Sequence, residues 1–270
     1  MLATRIISAL VAIILIVPTL FWGGVLGVTL LVIFFASIGA WELTNNLPNL
    51  RNLPSRLMAV GLGILIILMF YWISVGYVPA VITLFPLVAM LLHLFCFRVI
   101  QNTVDSVTQV IFVGSYLFIP LAHAILLSRI DASNLWLFFV LVIVCLGDAG
   151  AFFAGKYYGK THFSANVSPN KTVEGLGGGL LGAIAGMIIM KIIAPAMPPF
   201  GLLLKATIIL WIAGAFGDLC ASALKRRIGI KDFGSIMPGH GGIMDRADSL
   251  IPSIPVLYYF LVVSGYGINS

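Results

Sequence analysis

Between Ser222 and Asp248 the chain reads SALKRRIGIKDFGSIMPGHGGIMDRAD, a polar stretch in a protein that is 61% hydrophobic and 9% charged. It carries eight of the formal charges supplied by 15 basic and nine acidic residues. Charge is costly at bilayer depth and needs a chemical reason. Asp232, Asp245 and Asp248, five basic residues and a Gly-His-Gly turn packed this closely have the chemistry to handle metal and phosphate.

Asp245 and Asp248 are three residues apart, which puts both carboxylates on one helical face if the segment is helical. Oxygen donors at that spacing suit a hard cation such as Mg²⁺, which takes one or two carboxylates and completes its shell with water and phosphate. Read alone, the pair is better taken as a solvated acidic pair balanced by Arg246. Asp218 adds a third carboxylate from within an apolar run, where helical spacing aligns it with Ser222 and Lys225 on one face. Asp148 lies within a second apolar run, eight residues before Lys156, which is roughly 12 Å below the helix end. Either aspartate alone also reads as an ion-paired packing residue between helices.

Pro238, Gly239, His240, Gly241 and Gly242 supply backbone whose N–H groups can approach an anion, or simply a turn. For His240 the options of ligand, phosphate donor and packing residue stay open. A second polar cluster, SPNKTVEGLGGG, places Ser168 as an N-cap with Pro169 at the first helical position, and Lys171 and Glu174 one turn apart. The free N–H groups and Lys171 would welcome a phosphate; an ordinary capped helix with one salt bridge is the alternative. Gly178, Gly182 and Gly186 follow at four-residue spacing, a pattern of close helix packing.

The elements that must position these groups are membrane helices. A mean hydropathy of +1.13 marks an all-α polytopic membrane protein. Nine apolar runs are expected, near 6–21, 23–40, 57–74, 78–97, 108–127, 134–155, 173–194, 199–221 and 250–267. Basic residues near span ends favour the cytoplasmic side. With the N-terminus there, that side receives Arg5, Arg51, Arg56, Arg98, Lys156, Lys160, Lys171, Lys225, Arg226, Arg227, Lys231 and Arg246, against Arg129, Lys191 and Lys205 outside. The C-terminus then lies outside and both polar clusters face the cytoplasm. Lys191 and Lys205 read as snorkelling side chains at outer span ends, and the first run as an uncleaved span.

Six of the nine acidic residues fall in the second half. Residues 1–135 are therefore expected to form a transmembrane scaffold of about five spans, and 136–270 a catalytic half with cytoplasmic loops at 156–172 and 222–249. Glu42, Asp105 and Asp131 read as residues in or beside loops. Cys96, Cys145 and Cys220 lie within spans at no ligand-like spacing and read as packing residues. The net charge of +6 follows from the cytoplasmic bias, so nucleic-acid binding has no support. The glycine-rich spans are compatible with a homodimer.

The arrangement Ser222-x-x-Lys225-Arg226-x4-Lys231-Asp232-x5-Pro238-x-His240-Gly241-Gly242-x2-Asp245-Arg246-x-Asp248 resembles the signature of the phosphatidate cytidylyltransferases, or CDP-diacylglycerol synthases. Asp148 to Gly179 resembles that family's second polar region, departing at Asn170, where lysine is common, and at Val173, where tryptophan is common. The resemblance implies synthesis of CDP-diacylglycerol and pyrophosphate from CTP and phosphatidate in phospholipid biosynthesis, with one or two Mg²⁺ ions. It implies a catalytic set of Asp148, Asp218, Lys225, Arg226, Asp245 and Asp248, with Asp218, Asp245 and Asp248 as metal ligands. Lys171, Glu174, Ser222, Lys231, His240, Gly241, Gly242 and Arg246 would bind substrate. The implied setting is the bacterial inner membrane, among its lipids, with the site facing the cytoplasm.

Two other classes fit less well. A cation transporter would bury carboxylates but has no use for a Lys-Arg-rich, Gly-rich loop at one face. Another CTP-dependent lipid phosphotransferase or kinase shares the chemistry, although the D-x2-D-G-x2-A-R…G-x3-D-x3-D pattern of the CDP-alcohol phosphotransferases is absent.

Overall fold

The computed structural model describes residues 2–73, 75–97, 102–163, 167–169, 171–236 and 241–266, with backbone alone for 2–10 and 97. His240, Pro238, Gly239, Asn170 and Arg98 lie outside the described residues. Among the described residues the regular structure is helical, apart from one isolated bridge between His162 and Thr172.

In chain order the helices are α1 (Leu2–Trp22), α2 (Gly24–Asn45), α3 (Leu53–Trp72), α4 (Val78–Phe97), α5 (Thr103–Val113), α6 (Ile119–Ile130), α7 (Leu135–Tyr158), α8 (Val173–Ile193), α9 (Phe200–Ile228), α10 (Met244–Ala247) and α11 (Leu250–Val263). A π turn over Gly114–Phe118 joins α5 and α6 into one continuous rod. Eight helical stretches among the described residues are long and apolar enough to cross a membrane, and α1 adds the shorter apolar segment Val11–Trp22. Each of the nine anticipated runs thus coincides with a helix. The chain is a multi-pass helical membrane protein, and its many exposed Leu, Ile, Val and Phe side chains suit contact with lipid.

The helices reach further into the polar segments than anticipated. α7 continues to Tyr158, and α9 to Ile228, so Ser222 to Arg227 are helical rather than loop. α9 stops where Gly229 turns left-handed at φ +80°, with the Gly229 and Ile230 amides donating to the Arg226 and Lys225 carbonyls. α8 begins at Val173 rather than at Ser168. Thr172 is its N-cap, accepting from the Gly175 amide at 3.1 Å, while Ser168 to Lys171 forms a separate turn closed by the Lys171 amide on the Ser168 carbonyl.

The chain gathers into two compact units. The first comprises residues 1–133 and 232–246, so part of the second polar loop groups with the N-terminal helices. Here α2 packs on α3 and α6 over fully buried Leu43, Ile67, Phe70, Leu117, Phe118 and Ile125. Gly63 leaves the space that the Phe118 ring fills.

The second unit comprises residues 134–231 and 247–270. Its closest pair is α7 and α8, whose backbones touch: a Cβ at Gly150, Gly178 or Gly182 would overlap the Gly178 carbonyl, Ala154 or the Leu146 carbonyl respectively. Beyond α7 the chain returns as a hairpin in which residues 161–163 pair with 171–173. At the far end of α8, Lys191 donates to the carbonyls of Pro195, Met197 and Pro198, so it closes a turn as well as reaching the surface. α9 packs on α11, where Gly217 lies against the Asp248 carbonyl and the Pro252 ring.

Candidate active site

In the second unit, the bare Gly217 surface lets α9 approach the start of α11 closely. That places Asp218, the next residue on α9, near Asp248, which is 9% exposed. Asp148 of α7, Asp218 and Lys225 all lie within electrostatic reach of the Asp248 carboxylate. Asp148 is exposed in its helix and Asp218 partly so, and the Asp248 carboxylate accepts from the Ser249 amide at 2.8 Å. Asp148 from α7 and Asp218 from α9 thus lie within electrostatic reach of Asp248, which sits in the turn between α10 and α11.

A second positive charge, beside that of Lys225, comes to Asp218 from the other polar cluster. Lys171, at the end of the 159–172 hairpin, places its ammonium 2.7 Å from Asp218 Oδ2. It does not pair with Glu174. The Glu174 carboxylate instead accepts the Lys160 and Thr161 amides at 3.1 to 3.3 Å, which fastens the hairpin to the first turn of α8. Further along α9, Ser222 Oγ donates to Asp218 Oδ1 at 3.4 Å, and Arg226 Nε approaches the Val167 carbonyl at 3.5 Å. The Asp218, Ser222, Lys225 stripe thus exists as a face of α9. Lys231 is exposed beyond the helix end.

The first unit holds the remaining candidates. Asp245 is 7% exposed, and its Oδ2 accepts the Phe233 amide at 2.9 Å and the Gly242 amide at 3.0 Å. One carboxylate oxygen thereby joins the two limbs of the loop. Gly241, at φ +85°, sits against Asp245 Oδ2 and Asp232 Oδ1, a conformation that favours glycine. Arg246 is exposed. Among the described residues no three Asp, Glu, His or Cys side chains form a ready metal cage.

Glu42 is the residue the sequence reading passed over. It lies beside a loop as anticipated, in the last turn of α2, but is 5% exposed, with Oε2 accepting the Met244 amide at 3.0 Å. The one local sign is an acid inside an otherwise apolar helix with no basic residue within a turn.

The whole chain carries a family pattern. Residues 3–264 match the model of the cytidylyltransferase family, and the chain belongs to that family. It is 33% identical over 272 residues to the phosphatidate cytidylyltransferase of Bacillus subtilis strain 168, covering 96% of each chain. It is 32% identical over 260 residues to that of Staphylococcus epidermidis and 34% over 260 residues to that of Staphylococcus saprophyticus, in both cases covering 96% of this chain and 98% of the relative.

Proposed function

We propose that this protein is a phosphatidate cytidylyltransferase: it joins the phosphate of phosphatidate to the α-phosphorus of CTP, giving CDP-diacylglycerol and pyrophosphate. Family membership and full-length similarity to enzymes of that name support the reaction. The observation that carries the site is the Lys171–Asp218 pair, because it unites the two polar clusters at one place.

The nucleophile needs little activation. A phosphate monoester has a second pKa of ~6 and is largely dianionic at neutral pH, so no strong general base is required. The demands are in-line alignment of two anions and stabilisation of charge on the departing pyrophosphate. Lys171 is proposed to hold the lipid phosphate, while Lys225 and Arg226, both about two turns along α9 from Asp218, meet CTP phosphates. Lys231 and Arg246, exposed on the polar segments, add positive potential for an incoming nucleotide.

A divalent cation fits the residues present. Asp248 and, within its electrostatic reach, Asp148 and Asp218 supply hard oxygen donors, and an ion held by one or two of them keeps places for water and phosphate. Asp218 and Asp248 would hold it, and when bound it supplies charge neutralisation at the phosphates. The ligand role of Asp245 rests on its sequence position three residues before Asp248. The charge asymmetry supports a cytoplasm-facing site in a bacterial inner membrane, reached by CTP from water and by phosphatidate from the bilayer.

The test is an assay of purified protein with labelled CTP and phosphatidate, with and without Mg²⁺, using EDTA and ATP as controls. Labelled CDP-diacylglycerol formed only with CTP, lipid and metal together is expected. Labelled product made from ATP with any lipid acceptor would move the assignment to a lipid kinase.

A further inference from the structure

Glu42 is 202 positions away in sequence from Met244 in the loop it touches, and what it touches there is backbone. Its Oε2 accepts the Met244 amide at 3.0 Å. The Ile243 and Ile236 amides also bear on the carboxylate, although Oε1 is buried with no bond of good geometry. Those amides come from both limbs of the 232–246 loop. A Cβ at either Gly234 or Gly242 would overlap the Glu42 carboxylate, so these two glycines are the walls of its slot. One turn on, Asn46 Nδ2 donates to the Phe233 carbonyl at 3.0 Å and to the Glu42 carbonyl at 2.9 Å. Asp245 completes the arrangement from inside the loop, with Oδ2 on the Phe233 and Gly242 amides.

Among the described residues Glu42 has no ion pair. A carboxylate this buried is costly to keep without partners, and charge-assisted bonds from backbone amides are the partners it has. A scaffold with no stake in the loop would place an apolar residue here.

We propose that Glu42 is a positioning residue for the cytidylyl-transfer site: from a scaffold helix its carboxylate gathers the amides of Ile236, Ile243 and Met244 and fixes the backbone on which Gly242 and Asp245 are set. The purpose of the loop rests on the function proposed above; the clamp itself does not.

The experiment separates the two. In protein whose Cys96, Cys145 and Cys220 are replaced, Ser235→Cys reports loop order through its rate of reaction with a soluble thiol reagent. Glu42→Ala should raise that rate and lower kcat by about tenfold or more, the equivalent of one charge-assisted hydrogen bond, with the melting temperature and the KM for phosphatidate little changed. Glu42→Gln keeps one acceptor oxygen and should fall between Ala and wild type in both readouts. Gly242→Ala should be damaging in wild type yet add little in the Glu42→Ala background, because the clashing carboxylate is gone. Unchanged thiol reactivity and kcat in both Glu42 variants would overturn the clamp, as would strictly additive Glu42 and Gly242 effects. Raised thiol reactivity in a protein whose wild type performs no cytidylyl transfer would leave the clamp standing and remove the function.

Discussion

The ammonium of Lys171 and the carboxylate of Asp218 meet at 2.7 Å, joining the 159–172 hairpin to the middle of α9. Both side chains are partly exposed, at 20% and 37%, so the pair is reachable and adds little to stability by itself. Its worth lies in where it holds a positive charge: against Asp218, whose own charge lies within reach of the Asp248 carboxylate.

Lys171→Ala should therefore raise the apparent KM for phosphatidate far more than that for CTP. Losing one charged hydrogen bond to phosphate costs about 1.5–3 kcal/mol, or roughly ten- to more than a hundredfold. Arg226→Ala should mainly impair CTP use or turnover. Steady-state kinetics with each substrate varied separately check this, and a Lys171 defect confined to CTP would reverse the two subsites.

Asp218→Asn, Asp245→Asn and Asp248→Asn should each lower turnover by orders of magnitude while the protein still inserts and melts cooperatively. For Asp218 and Asp248, more Mg²⁺ should be needed for half-maximal rate. A wild-type rate for Asp245→Asn would remove it from the ligand set. Its hold on the loop would survive that result, since an asparagine oxygen can still accept the Phe233 and Gly242 amides.

Gly178→Leu or Gly182→Leu should separate α7 from α8, because no space exists for a side chain there. Overpacking of this kind typically costs about 1–3 kcal/mol. A lowered melting temperature in detergent is expected; unchanged melting would contradict the backbone contact.

The orientation has its own check. A cysteine at position 235, with the native cysteines replaced, should react with impermeant thiol reagents only from the cytoplasmic side. Labelling from outside would overturn both the orientation and the route proposed for CTP.

The helices were legible because a bilayer demands long apolar runs, and each such run is visible without tertiary knowledge. Asp218, Ser222 and Lys225 were legible for a related reason: their spacing lies within one helix, and the Ser222–Asp218 hydrogen bond realises it. The start of α8 was not. Ser168 and Thr172 both qualify as caps, and the choice fell to Thr172 once residues 161–163 paired with 171–173. The partners of Lys171 and Glu174 were hidden because each looks across a turn or a helix rather than along its own. Glu42 was hidden most deeply: its lone charge in an apolar helix marks it, but its partners are backbone amides, which leave no side-chain signature beyond the small size of Gly234 and Gly242.

Around Gly150, Gly178 and Gly182 the touching backbones of α7 and α8 leave no long side chain between them to yield or re-pack. Under changes in lateral pressure or bilayer thickness, such a hairpin tilts or shifts as a single rod instead of shearing along its seam. The Lys171 end of the segment that joins the two helices is then carried with the rod, so the height of that ammonium relative to the lipid headgroups follows the tilt of one mechanical piece.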